Sequence, residues 1–204
     1  KKFFEKKPHD SLKVRVGVFA NEDQEVAFVG VDALVVPASV VTEARQRIQR
    51  QVNIDPSSVM VGASHTHSGG PTGMVQPGQF DEASSFVRKL AYEQSSVANK
   101  AYLQEVSDAI VYAVTEAYNE RLAAKACVGS GHEEDVGFNR RFYMKNGLTY
   151  THPRYGNPDI DTVAGPIDPE VGVIGVWDQS DQFMGCVVNY ANHATNGAGG
   201  SVTA

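Results

Sequence analysis

Between Pro37 and the pair Asp55-Pro56, the apolar residues Val40, Ala44, Ile48 and Val52 recur at every fourth position. That spacing stacks side chains on one face of an α-helix, and a one-faced helix must be buried against something. The closing proline pushes the residue before it out of helical geometry, so the helix ends there. The flanking segments predict what the helix covers. "LKVRVGV" (12–18) alternates apolar and polar residues, as a strand with one wet face does. "NEDQE" makes a polar turn, and "VAFVGVDALVV" continues as a more buried strand, so the two form a β-hairpin. After the helix, "SVMVGA" (58–63) reads as a short buried strand.

The remaining chain repeats this mixture. Residues 68–97 are rich in glycine, proline, glutamine and serine and are expected to form a long functional loop or lid with a short helix. Leu103, Val106, Ile110, Val114 and Ala117 mark one face of a long amphipathic helix over about Ala98–Leu122. "AKACVGSG" (124–131) predicts a strand, "HEEDVGFNRRF" a charged loop, and 145–170, rich in Gly, Pro, Asn and Asp, a further loop. "VGVIGVW" and "FMGCVVNYA" flank the turn "DQSDQ" and predict a second hairpin. The expected fold class is therefore α/β of the mixed α+β kind. Its architecture is a layered sandwich of mixed β-sheets flanked by helices, built as a single domain over residues 1–204.

Charge and length exclude some functions. The 204 residues carry a formal net charge of -6, which argues against nucleic-acid binding. No stretch approaches the roughly 18–20 apolar residues of a membrane span. The chain starts "KKFFEKKPHD" and ends "NGAGGSVTA", which reads as sequence cut at both ends. The two cysteines, Cys127 and Cys186, lie in apolar segments and are expected to be buried free thiols, with one disulfide as the alternative for an exported protein.

Chemistry concentrates at two strand exits. "ASHTHSGGP" (63–71) places His65 and His67 after one strand, and "NYANHAT" places His193 after another. In extended backbone, residues i and i+2 point the same way, so His65 and His67 can face one cavity and His193 can join them. Three neutral imidazoles with an open position suit a catalytic Zn²⁺. Glycines after both motifs leave room for a ligand. The ordinary alternative is a polar loop and a hydrogen-bonded structural histidine. Glu133, Glu134 and Asp135 lie near an arginine pair, but nothing in the sequence places them at a metal. In "GFNRRF" (137–142), the arginines form either a solvated turn or a grip on a carbonyl oxygen that becomes an oxyanion.

"SHTHSGGP", the later "FNRR" and the strand-end "NHAT", in that order, resemble the neutral/alkaline non-lysosomal ceramidase family. "PHDSLKVRVGVF" and "VAFVGVDAL" are similar to the early hairpin of its bacterial members. The resemblance covers most of the chain. It implies a zinc-dependent amidohydrolase acting on ceramide or a related lipid amide, mostly exported (extracellular or periplasmic), with transient membrane-surface contact as a possible partner interaction. Carried over, it makes His65 and His193 zinc ligands and His67 a neighbour of the metal that contacts substrate or the reacting water. Arg140 becomes the stabiliser of the oxyanion. This replaces the reading of His67 as a ligand. The family's motif runs S-G-P where this chain has Ser68-Gly69-Gly70-Pro71, one glycine longer. The family's glutamate and tyrosine ligands and its serine nucleophile are expected beyond Ala204.

Three rival readings remain. A metallo-β-lactamase-type hydrolase requires an aspartate and a histidine where Gly69 and Gly70 stand, and a barrel amidohydrolase requires a run of βα units. A catalytically silent binding module of the same fold is the alternative from outside the enzymes.

Overall fold

Val14–Ala20 (β1) and Glu25–Val31 (β2) form the expected antiparallel hairpin, with Val14 opposite Val31. The computed structural model describes residues 10–193; the entry 1–9 and the glycine-rich stretch 194–204 lie outside the described residues. β2 stops at Val31, short of the apolar run that follows it. There Asp32 accepts the Lys13 N–H at 3.0 Å and pairs with Arg15 at 3.3 Å, closing the hairpin's open end.

The helix after Pro37 is Ala38–Val52 (α1), and its buried residues are the four of the sequence repeat, Val40, Ala44, Ile48 and Val52. It ends earlier than the proline requires: Asn53 turns left-handed (φ 59°), and its N–H is donated to the Gln49 carbonyl. After a single 3-10 turn, Val59–Ala63 (β3) pairs in parallel with β2. β2, α1 and β3 thus make one βαβ crossover, which the sequence reading did not anticipate. The sheet order is β1-β2-β3. β3 is not the buried strand expected. Only Val59 is buried, because β3 has no neighbour on its far side among the described residues, and Met60 is 62% exposed. Arg45 on α1 donates from Nε and Nη2 to the Val59 carbonyl, at 2.9 and 2.6 Å, and ties the start of β3 to the helix.

The segment 68–97 contains one helix, Ser85–Glu93 (α2), capped by the Ser84 hydroxyl. Lys100–Asn119 (α3) follows, with Asn99 accepting the Tyr102 N–H at 3.0 Å as its N-cap. Its buried face is Val106, Ser107, Ile110, Val111 and Val114. α3 packs on α1 and on β1, so the two helices and the sheet enclose the core, in which Ile48, Ile54, Val59, Ile110 and Val114 are fully buried.

The described chain divides after Arg121, and Leu122–His193 forms a second unit made of strands. Ala124–His132 (β4), Glu170–Asp178 (β8) and Phe183–Tyr190 (β9) form an antiparallel sheet of order β4-β8-β9. The β8–β9 turn is the predicted "DQSDQ", fastened by Asp178 Oδ1, which accepts the N–H groups of Ser180 and Gln182 at 2.8 and 2.9 Å. Arg141–Met144 (β5), Thr149–Thr151 (β6) and Ile160–Val163 (β7) form a second small sheet, of order β6-β5-β7. This corrects the reading of 145–170 as loop. The thiols are a second correction. Cys127 and Cys186 are both free and exposed. They lie in register with Gly175, one on each side of it, so two strand spacings separate them, and a disulfide cannot reach that far.

The fold is mixed α+β, with three three-stranded sheets and three α-helices among the described residues. No helix among them is long and apolar enough to cross a membrane.

Candidate functional site

β2 and β3 run in parallel, so their carboxyl ends open onto the same edge, the usual place for chemistry beside parallel strands. Ser64 extends the pairing by donating its N–H to the Val31 carbonyl at 2.9 Å. At His65 the chain then turns left-handed, with φ 57°. This corrects the expectation of extended backbone through the H-x-H motif. Left-handed geometry at a residue other than glycine is strained and persists only where its surroundings hold it.

The constraint is visible. His65 Nδ1 lies 2.9 Å from the carbonyl oxygen of Leu34, in the segment leaving β2. A carbonyl oxygen only accepts, so Nδ1 carries the proton and Nε2 keeps its lone pair. A tautomer with the proton fixed on Nδ1 is the one in which a histidine binds a metal through Nε2. The His67 ring stands edge-on to His65, with centroids 5.1 Å apart and planes at 86°, and both residues are exposed. The structure therefore brings the H-x-H pair together, but through a turn and not through strand alternation.

The extra glycine of "SHTHSGGP" also has a physical reason. A Cβ on Gly70 would overlap the ring of Tyr102, in the first turn of α3. A side chain at this position would displace the loop from α3. Gly69 is looser, its nearest approach being the Thr66 methyl at 3.4 Å.

In the second unit, His193 follows the exit of β9 and is half-buried. Arg140 lies between Asn139 and the start of β5 and is also half-buried. The loop carrying Arg140 is packed against that exit. The Tyr190 hydroxyl donates to the Glu133 carbonyl at 3.1 Å, and a Cβ on Gly137 would lie 3.0 Å from that hydroxyl and 3.9 Å from Asn192 Oδ1. Glycine at 137 thus permits the loop to lie beside the residues preceding His193. Of the acidic candidates, Glu133 is engaged locally, its Oε1 accepting the Asp135 N–H at 2.8 Å.

The sequence reading missed Asn139 and, of the arginine pair it weighed, gave a role to Arg140 alone. Asn139 donates its side-chain amide to the Gly165 and Pro166 carbonyls, each at 3.3 Å, and its Oδ1 accepts the Arg141 N–H at 2.9 Å. It is the peg that ties the backbone at Arg141 to the 165–166 segment. Its signal was in plain view, because asparagine two residues ahead of a strand start is a common turn-former.

Two solved structures share this fold. A ceramidase complexed with C2 aligns with a TM-score of 0.59 and 20% identity, over 88% of this chain and 25% of that one. The neutral ceramidase from Pseudomonas aeruginosa aligns with a TM-score of 0.52 and 18% identity, over 84% of this chain and 24% of that one. No family model and no curated protein matches the sequence. The chain spans about a quarter of the length of these ceramidases, and its fold is that part of a ceramidase-like fold.

Proposed function

We propose that this chain is part of a zinc-dependent amidohydrolase domain that cleaves the N-acyl bond of ceramide or a related lipid amide. The carrying observation is His65: a strained backbone at the carboxyl end of β3 and a proton fixed on Nδ1 by the Leu34 carbonyl, which leaves Nε2 as a donor atom. The ceramidase-like fold supports the reaction class, and the order of the three motifs supports the roles.

His65 and His193 are the proposed zinc ligands from this chain. With His67 they supply neutral nitrogen donors of the type that suits zinc. When bound, zinc supplies water ionised near neutral pH and polarises a carbonyl. The chain's own groups do the rest. His67, beside His65, contacts the reacting water or the substrate. Arg140 donates hydrogen bonds to the amide oxygen as it gains negative charge. Cleavage breaks the C–N bond, forms a C–O bond and releases the nitrogen with a proton. The family's glutamate, tyrosine and serine are expected outside residues 1–204, so the reading concerns the full-length protein that carries this segment.

The test measures zinc content and hydrolysis of N-acyl amides with the full-length protein, with and without chelator. Zinc near one equivalent per chain should be lost in His65→Ala and in His193→Ala and largely kept in His67→Ala. Equal loss in all three variants contradicts these roles. Arg140→Ala should keep its zinc and lose on the order of 10²–10³-fold in turnover. Retained zinc with no hydrolysis of any N-acyl amide would favour the silent binding module.

A further inference from the structure

β3 leads directly into the H-x-H turn, and one side of it is open. In a parallel ladder every second residue turns both its N–H and its carbonyl toward the neighbouring strand, and the residues between turn both away. Ser64 donates its N–H to the Val31 carbonyl, which assigns Met60 and Gly62 to the β2 side as well. Val59, Val61 and Ala63 therefore turn their backbone groups to the far side, where no strand lies among the described residues.

That edge is closed at one end only. The Val59 N–H is donated to the Pro56 carbonyl, and the Val59 carbonyl accepts Nε and Nη2 of Arg45. Val61 and Ala63 have no such partners among the described residues, which leaves two N–H groups and two carbonyls in a row. The row stops just short of Ser64 and His65.

Strand edges are normally blunted by a charge, a proline or a bulge, because a bare edge pairs with whatever strand meets it. β1, at the other side of the sheet, carries Arg15. β3 reads Val-Met-Val-Gly-Ala, with no charge and no proline, and its register on β2 is unbroken.

The shortness of the row selects the source of a further strand. Each hydrogen bond made in place of one to water contributes little net. The few offered here do not offset the freedom that a separate molecule loses on docking. A segment of the same chain loses no such freedom. This chain spans about a quarter of the ceramidases that share its fold, so most of such a protein lies outside it.

We propose that a strand from outside residues 1–204 of the full-length protein pairs with Val61 and Ala63 on the open edge of β3. β3 then becomes an inner strand, and one end of the added strand lies beside His65. That contact supports the left-handed backbone at His65 from a second side, besides the Leu34 carbonyl. It also brings a distant part of the chain to the edge where the candidate chemistry lies. The proposal rests on the fold and not on the amidohydrolase reading.

Hydrogen–deuterium exchange of the full-length protein, read residue by residue through fragmentation mass spectrometry, tests this without turnover. Met60 and Gly62, bonded to β2, are the internal references. In dilute protein without substrate, Val61 and Ala63 should exchange no more than about tenfold faster than those references. Faster exchange overturns the proposal. So does protection that appears only on raising the protein concentration, which means a second copy on the edge. Protection that appears only on adding an N-acyl amide means substrate there, and also overturns it. Ala63→Pro removes one edge N–H and leaves the bonds to β2 in place, as proline is accepted at an open strand edge. In protein shown to be folded by circular dichroism, it should speed exchange at Val61 and in a stretch outside residues 1–204 at least about tenfold. Ala63→Ser, which keeps the N–H, should change neither. If folded Ala63→Pro speeds no stretch outside 1–204, the added strand does not exist. The unsubstituted protein decides the matter even where Ala63→Pro does not fold.

Discussion

The two units hold their shape in different ways. In the first, α1 and α3 cover the β1-β2-β3 sheet, and nearly every buried apolar side chain of the described residues lies there. In the second, Met144 alone belongs to that buried set, and all nine residues of β4 are exposed. Both units are built on three-stranded sheets, so strand pairing is not the difference. The difference is whether an amphipathic helix lies on the sheet. The candidate chemistry follows the same division. His65 is fixed by strain and a backbone carbonyl at the end of a helix-backed sheet, whereas the backbone at Arg141, next to Arg140, is fixed by an asparagine peg at the start of a short strand.

The largest effect should come from opening the first core. Ile110 is fully buried between α3 and its neighbours, and Ile110→Ala should cost about 2–5 kcal/mol, from lost transfer energy and the cavity left behind. Val128 in β4 is 83% exposed, and Val128→Ala should stay within about 0.5 kcal/mol. Urea denaturation of both variants measures the contrast. Similar losses from the two truncations would mean that the units are stabilised alike.

A middle-sized effect separates glycines that are packed from glycines that are not. Gly70→Ala drives a methyl into the Tyr102 ring and should cost about 1–3 kcal/mol. A methyl on Gly129 in β4 would meet nothing within 4 Å, so Gly129→Ala should be neutral or stabilising by about 0.4–1 kcal/mol, through a less flexible unfolded chain. A double variant with Tyr102→Leu should recover part of the Gly70→Ala loss, because residues in contact are coupled. Simple additivity there would mean that the ring is not what Gly70 accommodates.

The same contrast explains what could be read in advance. The buried face of α1 matches the four-residue repeat because helix burial is periodic and local, and Val106, Ile110 and Val114 of α3 follow for the same reason. The β8–β9 hairpin was legible from its turn chemistry. The β6-β5-β7 sheet was not, since strands of three and four residues among Gly, Pro and Asn are set by pairing across the chain. Cys127 and Cys186 were misjudged because apolar neighbours in sequence bury a thiol only when something covers that sheet face. His65 and His67 were legible as a pair, but the left-handed turn and the Leu34 carbonyl that set the tautomer depend on β2 and β3 lying side by side.

The smallest effect is an acid dependence located in the first unit. The Ser57 hydroxyl and backbone N–H bind the Asp55 carboxylate and hold its pKa below the ordinary 3.8. Hydrogen bonds from Arg47 and then Gln104 do the same for Asp108. A carboxyl group whose pKa is depressed on folding stabilises the fold above its unfolded pKa, and that contribution fades as pH falls through the lower folded value. Both groups are exposed, so solvent screens each contribution and the margin is small. The paired variant Asp55→Asn/Asp108→Asn removes both titrations. The native chain should be more stable than this variant at neutral pH, and the margin should shrink as pH drops below 3.8. Urea melts of the two proteins across that range measure it. A margin that stays constant into strong acid would show that these carboxylates do not set the acid response of the helix-backed unit.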